Sequence, residues 1–305
     1  MNVIIIYFVA TMLEKYKYHI WLHVIVFIFG FTGILGKLIQ ADSYLLVWYR
    51  VGIALIGIGG YFLVIKHPLK VSKKVMIKII GVGVIIAIHW ITFFEAIKQS
   101  NVSVALVCFS SSTLFTSIIE PIYFKRKIKA YELIFGLLII VGLYFIFSFE
   151  FKYLSGMLLS FFSAALASWF TVLNGMLIKE ANSKTISFFE LLGAFTVVTF
   201  ILIGYRGFDI AAYQISDSDI IWLVILGTIC TAFAFIVSVE VMKRITPYSV
   251  TMSVNLEPIY SIVLAIIIWP ESETMSYGFY MGTIIVLATI FLNGYFKSNE
   301  KKKSS

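Results

Sequence analysis

The chain reads as an all-α integral membrane protein of ten transmembrane helices, arranged as an inverted 5+5 repeat. Three observations predict this. Of 305 residues, 60% are hydrophobic and 13% charged, with a mean hydropathy of +0.97; soluble domains average about 45–50% apolar and 25% charged. Apolar runs of roughly 20 residues, the length that crosses a bilayer, recur along the whole sequence. The chain also aligns with itself at a shift of 146, which pairs Gly81 with Gly227, Ser103-Val104 with Ser249-Val250, Tyr131 with Tyr277 and Gly136 with Gly282.

Charge, Gly and Pro clusters set the breaks. They place spans at 20–39, 44–65, 75–97, 102–124, 131–149, 155–178, 185–206, 219–242, 248–269 and 277–296. Short connections predict antiparallel neighbours. Residues 1–13 are apolar but lack a basic n-region and are too short to span. They lie at the interface or precede a true start at Met12, so 1–18 is assigned as a cytoplasmic leader. Residues 297–305 form a basic cytoplasmic tail. Cys108 and Cys230 fall inside apolar segments, so no disulfide framework is implied.

Orientation follows from Lys and Arg, which concentrate in cytoplasmic loops. With both termini inside, the inner segments hold Lys66, Lys70, Lys73, Lys74 and Lys78, then Lys125, Arg126, Lys127 and Lys129, then Lys179, Lys184, Lys243 and Arg244. The outer segments hold only Lys98, Lys152 and Arg206. The net charge of +8 therefore reflects inner loops, not a nucleic-acid surface. Five spans per copy, an odd number, make the second copy enter the membrane in the opposite sense. The charges agree: Lys125-Arg126-Lys127 aligns with Glu271-Ser272-Glu273. Such repeats belong to transporters, whose sites lie near midplane where the copies meet.

The stretch 250–261 carries Asn255, Glu257, Pro258 and Tyr260 in the middle of an apolar run. A carboxylate at the membrane centre costs about 2.5–3.5 kcal/mol on insertion scales, so its default reading is functional. Pro258 has no N–H, which deprives the Val254 carbonyl of its helical partner and predicts a kink.

The run Asn255-Leu256-Glu257-Pro258-Ile259-Tyr260, followed by Pro270-Glu271-Ser272-Glu273 and Gly278-Phe279-Tyr280-Met281-Gly282, resembles the second repeat of the EamA-type permeases of the drug/metabolite transporter superfamily. Gly30-Phe31-Thr32-Gly33-Ile34-Leu35-Gly36-Lys37, with Trp48-Tyr49-Arg50, resembles the first. The resemblance runs from about His19 to Phe296. It implies an inverted pair of five-helix repeats, 19–149 and 150–296, in a bacterial inner membrane. It also implies a central cavity and movement of small metabolites such as amino acids, with export expected. The family's acidic residue before the last span is matched at Glu271 or Glu273, whereas Lys125 and Lys127 stand in those places in the first copy.

Candidate site residues follow from polarity at depth. Ser249, Ser253, Glu257 and Ser261 recur at i, i+4 with Tyr260 nearby, a stripe that faces a cavity or a neighbouring helix. Arg50 offers planar bidentate donors to a substrate carboxylate, snorkels, or pairs with Glu95. Lys37 reads as a snorkelling anchor. His89 and Trp90 precede Glu95, and Trp90 and Trp169 are candidate stacking surfaces. In the run 110–113, Ser111 and Ser112 place hydroxyls opposite Glu257. Glu190, Glu240, Glu120 and Glu132 sit near the inner face, where structural or gating ion pairs with the basic loops are expected.

The leading reading is a secondary carrier that alternates access around Glu257, which binds a proton, a substrate amine or a hydroxyl. A channel or non-transporting receptor of the same architecture is the alternative. An intramembrane enzyme is disfavoured, since the chain has only four His and no H-E-x-x-H pair. Gly81-Val82-Gly83 and Gly30, Gly33 and Gly36 follow no strand, so they are not nucleotide loops. No cofactor or metal is called for. The implied partners are a small-molecule substrate and the lipid bilayer; protons and a second copy of the chain stay open.

Overall fold

The structure is a computed structural model that describes the backbone of residues 2–304 and the side chains of residues 16–296. The side chains of most of the assigned leader, Met12 included, and of all the basic tail lie outside the described residues. Among the described residues, ten helices are long and apolar enough to cross a membrane: Tyr16–Leu38, Ser43–Ile65, Lys73–Gln99, Val102–Phe124, Ala130–Phe149, Phe151–Leu177, Ser183–Arg206, Asp217–Val241, Pro247–Ile268 and Tyr277–Phe296. They are numbered here as spans one to ten. No strand occurs among the described residues.

The span ends follow from capping chemistry. Asp42, Ser72, Asn101, Asn182, Ser216 and Thr246 each stand just before a helix and accept a hydrogen bond from an N–H of its first turn. Spans two and four end at Lys66 and Lys125, both left-handed at φ 50°, where the chain turns sharply out of the helix.

Loop contacts sort the connections onto two ends. At the lysine-rich end, Lys78 meets Glu180 at 2.9 Å, Ser183 meets Glu240 at 2.7 Å, and Lys184 meets the hydroxyl of Tyr61 at 3.1 Å. Arg126 there holds Glu120 at 3.1 Å and Glu132 at 2.8 Å, the basic-loop pairing that the sequence predicts. At the lysine-poor end, Asp219 accepts from the backbone N–H groups of Gln40 and Ala41, and Glu150 accepts from that of Ser276. Arg206 pairs with Asp42 at the same end.

The largest buried cluster joins spans one to four with spans six to nine, so the two halves share one core. Spans five and ten pack against each other to one side. Gly142 and Gly282 make this crossing close: a carbon added at either would press on the other's carbonyl oxygen, at 2.9 and 2.5 Å. Small residues let backbones approach so closely where dispersion contacts, not water expulsion, hold helices together.

Candidate functional site

Spans four and nine are each broken near their middles. Span four consists of Val102–Phe109 and Ser112–Phe124; span nine consists of Pro247–Val254 and Glu257–Ile268. In span nine Pro258 supplies the cause, since it offers no N–H to the preceding turn. Leu256 and Ile259 there donate to Ser253 and Leu256 at 3.0 and 3.1 Å, a tighter turn than the α-helix. Span four contains no proline at its break. Its Ser110 hydroxyl bonds back to the Leu106 carbonyl at 3.2 Å.

Asn255 stitches the two breaks together. Its amide nitrogen donates to the Ser110 carbonyl at 2.8 Å and to the Thr113 hydroxyl, while its oxygen accepts from Ser112 at 2.9 Å. Thr116 and Thr251 extend the seam, 3.3 Å apart. Backbone groups released by a helix break in lipid must find internal partners, and Asn255 supplies one across the seam.

Beside this seam lies a cavity of about 850 Å³, its mouth included. Both halves line it: Thr32, Arg50, His89, Trp90 and Ser112 from the first, Asn174, Cys230, Ser238, Thr251 and Glu257 from the second. Phe29, Phe93, Phe109, Phe170 and Phe235 make the rest of the wall largely aromatic. The cavity runs from mid-span toward the lysine-rich end, where Met242 and Val250 border it. Arg50 lies seven residues into span two, about 10 Å along its axis.

Arg50 is held on three sides. Its Nε donates to the Thr231 hydroxyl at 2.6 Å, and its guanidinium stacks 4.2 Å from the Trp90 ring and 5.3 Å from that of Phe94. Thr231 owes its position to a π-turn over Thr228–Phe233, a wide turn often found at functional sites. Nη1 of Arg50 has no hydrogen-bond partner among the described residues. Across the cavity, Glu257 opens the second half of span nine, where the helix N-terminus favours an anion. Arg50 and Glu257 line the same cavity without forming an ion pair among the described residues.

His89 is anchored by Ser163, whose carbonyl and hydroxyl lie 3.0 and 2.8 Å from Nδ1, and it stacks on Phe109. Of the residues singled out in the sequence, the structure therefore brings Glu257, Arg50, Trp90, His89 and Ser112 to one cavity.

Others are placed elsewhere. Asn255 is buried in the seam, not on the cavity wall. Tyr260 packs against Gly30 and edge-on to Phe27, on the outside of span one. Ser253 bonds back to the Ser249 carbonyl at 3.0 Å, and Ser261 donates to the Gly30 carbonyl at 2.5 Å, so the serine stripe is helix packing apart from Glu257. Ser111 is buried without a partner among the described residues and outside the cavity lining. Trp169 is 40% exposed and donates to the Tyr123 hydroxyl, which takes it off the wall. The break in span four rotates its second half, which explains why one hydroxyl of the run reaches the cavity and its neighbours do not.

The ion-pair expectations divide similarly. Glu240 does pair with Lys243, at 2.7 Å. Glu95 accepts from Ser43 and Gln99 and leaves Arg50 alone. Lys37 is no free anchor: it reaches Glu273 at 2.7 Å and Ser272 at 2.6 Å. Glu273, fully buried, also accepts from the N–H groups of Val102 and Ser103 and the Ser103 hydroxyl, capping span four at the lysine-poor end. Glu190 pairs with none of the described lysines or arginines and lies wholly buried.

Sequence reasoning placed Asn174 only toward the inner half of span six and gave no site role to Thr231, Thr32 or Ser238. Ser and Thr are common in membrane helices, and only the π-turn and the helix rotations distinguish these from packing hydroxyls. Among the described residues, no group of His, Cys, Asp and Glu is arranged to hold a metal ion.

Comparison with known proteins bears on both halves. The model of the EamA-like transporter family matches residues 16–148 and again 154–295. No curated protein matches the chain significantly. A solved structure described only as a crystal structure of protein superposes with a TM-score of 0.67 at 14% identity, over 90% of this chain and 95% of that one. At that identity the likeness speaks for the fold alone.

Proposed function

Because this chain belongs to the EamA-like transporter family, we propose that it is a secondary carrier moving a small zwitterionic metabolite, an amino acid or close relative, by alternating access. The carrying observation is one cavity shared by both repeats and lined by both Arg50 and Glu257, with Nη1 of Arg50 unpartnered among the described residues. A guanidinium clamped by Thr231 and Trp90 is preorganised for a substrate carboxylate. Glu257 takes the ammonium group, and the phenylalanine wall accommodates an apolar side chain. No ATP-binding motif occurs in the sequence, so a gradient drives the cycle.

The two repeats are read as inverted, since five spans apiece carry the second copy into the membrane from the opposite face. The lysine-rich end is then cytoplasmic, with both termini inside a bacterial inner membrane. The cavity reaches toward that end, while the Lys37–Glu273 contacts close the other, which corresponds to an inward-facing state. Export follows if this state loads substrate from the cytoplasm.

Counterflow in proteoliposomes tests the reading. Vesicles preloaded with an unlabelled amino acid mixture should accumulate labelled amino acid transiently, and E257Q and R50K should abolish the overshoot. Downhill flux without an overshoot would establish a channel instead.

A further inference from the structure

Span seven carries a second acid that the cavity chemistry leaves unused. Glu190 is fully buried, seven residues beyond Ser183 and so about 10 Å in from the lysine-rich end. Neither of its carboxyl oxygens has a hydrogen-bond partner among the described residues. Asn174 is the neighbouring side chain that interacts with it, yet both amide atoms of Asn174 also lack a properly formed bond. The buried hydroxyl of Ser187, three residues earlier on span seven, is unpartnered as well.

Buried polar groups in native proteins are nearly always satisfied, so several unpartnered ones side by side suit a small polar or charged ligand. A carboxylate needs compensating positive charge in a low-dielectric interior. No described lysine or arginine pairs with Glu190. Spans two, three and eight pack against span seven. On them Arg50 is committed to Thr231, Lys78 to Glu180, His89 to Ser163, and Glu240 to Lys243 and Ser183. On span seven itself, Lys184 holds the Tyr61 hydroxyl and Arg206 holds Asp42. The backbone cannot shift to help: the Glu190 carbonyl lies against Gly83, in a contact too close for any side chain at that position.

Polar side chains extend from the position in two directions. Asn174 lines the cavity. In the other direction Ser183, Ser187 and Glu190 follow at i, i+4 and i+7 on one face of span seven, and Ser183 bonds the half-buried Glu240 at the lysine-rich end. The stripe thus runs from that end to the cavity wall.

We propose that Glu190, with Asn174 and Ser187, is a binding site for a small monovalent cation, a proton or sodium, distinct from the Glu257 site and joined to the cavity by Asn174. The site rests on the carrier reading for its purpose, which is coupling; an occupied Glu190 fixes Asn174 and thereby the cavity wall beside it.

The test reads the thermal unfolding midpoint of the purified full chain without transport substrate. The midpoint is followed against pH at fixed sodium, and against sodium chloride at fixed pH with choline chloride holding ionic strength. A rise on acidification alone identifies the proton, and a rise with sodium at constant pH identifies sodium. Either response shrinks in E190Q, whose amide mimics the neutral acid in shape, and is kept in E271Q, which replaces an exposed glutamate outside the cavity. If E190Q does not fold, Asn174→Leu serves instead and weakens the response. A response equal to wild type in E190Q or in Asn174→Leu overturns the site, as does a wild type that answers to neither ion. The counterflow assay decides the carrier reading separately, since these midpoints require no transport.

Discussion

Lys37 at the end of span one lies 2.7 Å from the buried carboxylate of Glu273 in the loop before span ten. The pair ties the first helix of one repeat to the last hairpin of the other. Glu273 simultaneously caps span four through Val102 and Ser103, so three elements close together at the lysine-poor end. Replacing Lys37 by Met leaves the carboxylate its three other donors, and the expected cost is about 1–3 kcal/mol, the range for stranding a buried hydrogen-bonding group. Native Cys230 lines the cavity and reports the gate. In E273Q a membrane-impermeant thiol reagent applied from the lysine-poor side should label Cys230 faster than in wild type, while Cys108, buried in a separate cluster, stays unlabelled.

Asn255 is the seam's crosslink, and its loss should be structural before it is functional. Asn255→Leu removes partners from Ser110, Ser112 and Thr113 together. Unfolding in mixed micelles should show a loss of about 1–3 kcal/mol. Asn255→Ala, which also leaves a void, should not recover it.

Gly142 and Gly282 allow no side chain where spans five and ten cross. Gly142→Leu forces the two backbones apart, and overpacking of a close contact costs about 1–3 kcal/mol. The thermal midpoint should fall. Gly57→Leu, at a site with open space around it, should leave the midpoint unchanged and serves as the control.

Arg50 is placed for planar recognition. R50K keeps the positive charge but loses the fork and its stacking on Trp90. Equilibrium binding of a transported amino acid should weaken about tenfold or more, since each tenfold corresponds to about 1.4 kcal/mol. Trp90→Phe should weaken it less, as the ring face beneath the guanidinium survives.

The number of spans, their limits and the uneven distribution of lysine were already decided by composition and periodicity. An apolar run long enough to cross a bilayer has few alternatives, and backbone polarity forces it to be helical. Glu257 and Arg50 stood out for the same reason: a charge in such a run is costly wherever it lies. What local pattern could not decide was direction. Whether Tyr260, Trp169 or Ser111 faces a cavity depends on how each helix is rotated, and two mid-span breaks and a π-turn reset that rotation. Asn255 looked like a ligand because an amide in lipid demands a partner; only the packing of span four against span nine reveals that its partners are protein. Glu190 was expected to reach the lysines of its own end, and the close contact at Gly83 instead holds it inward beside Asn174. Sequence assigns a polar group its need for a partner, and tertiary packing determines which partner is within reach.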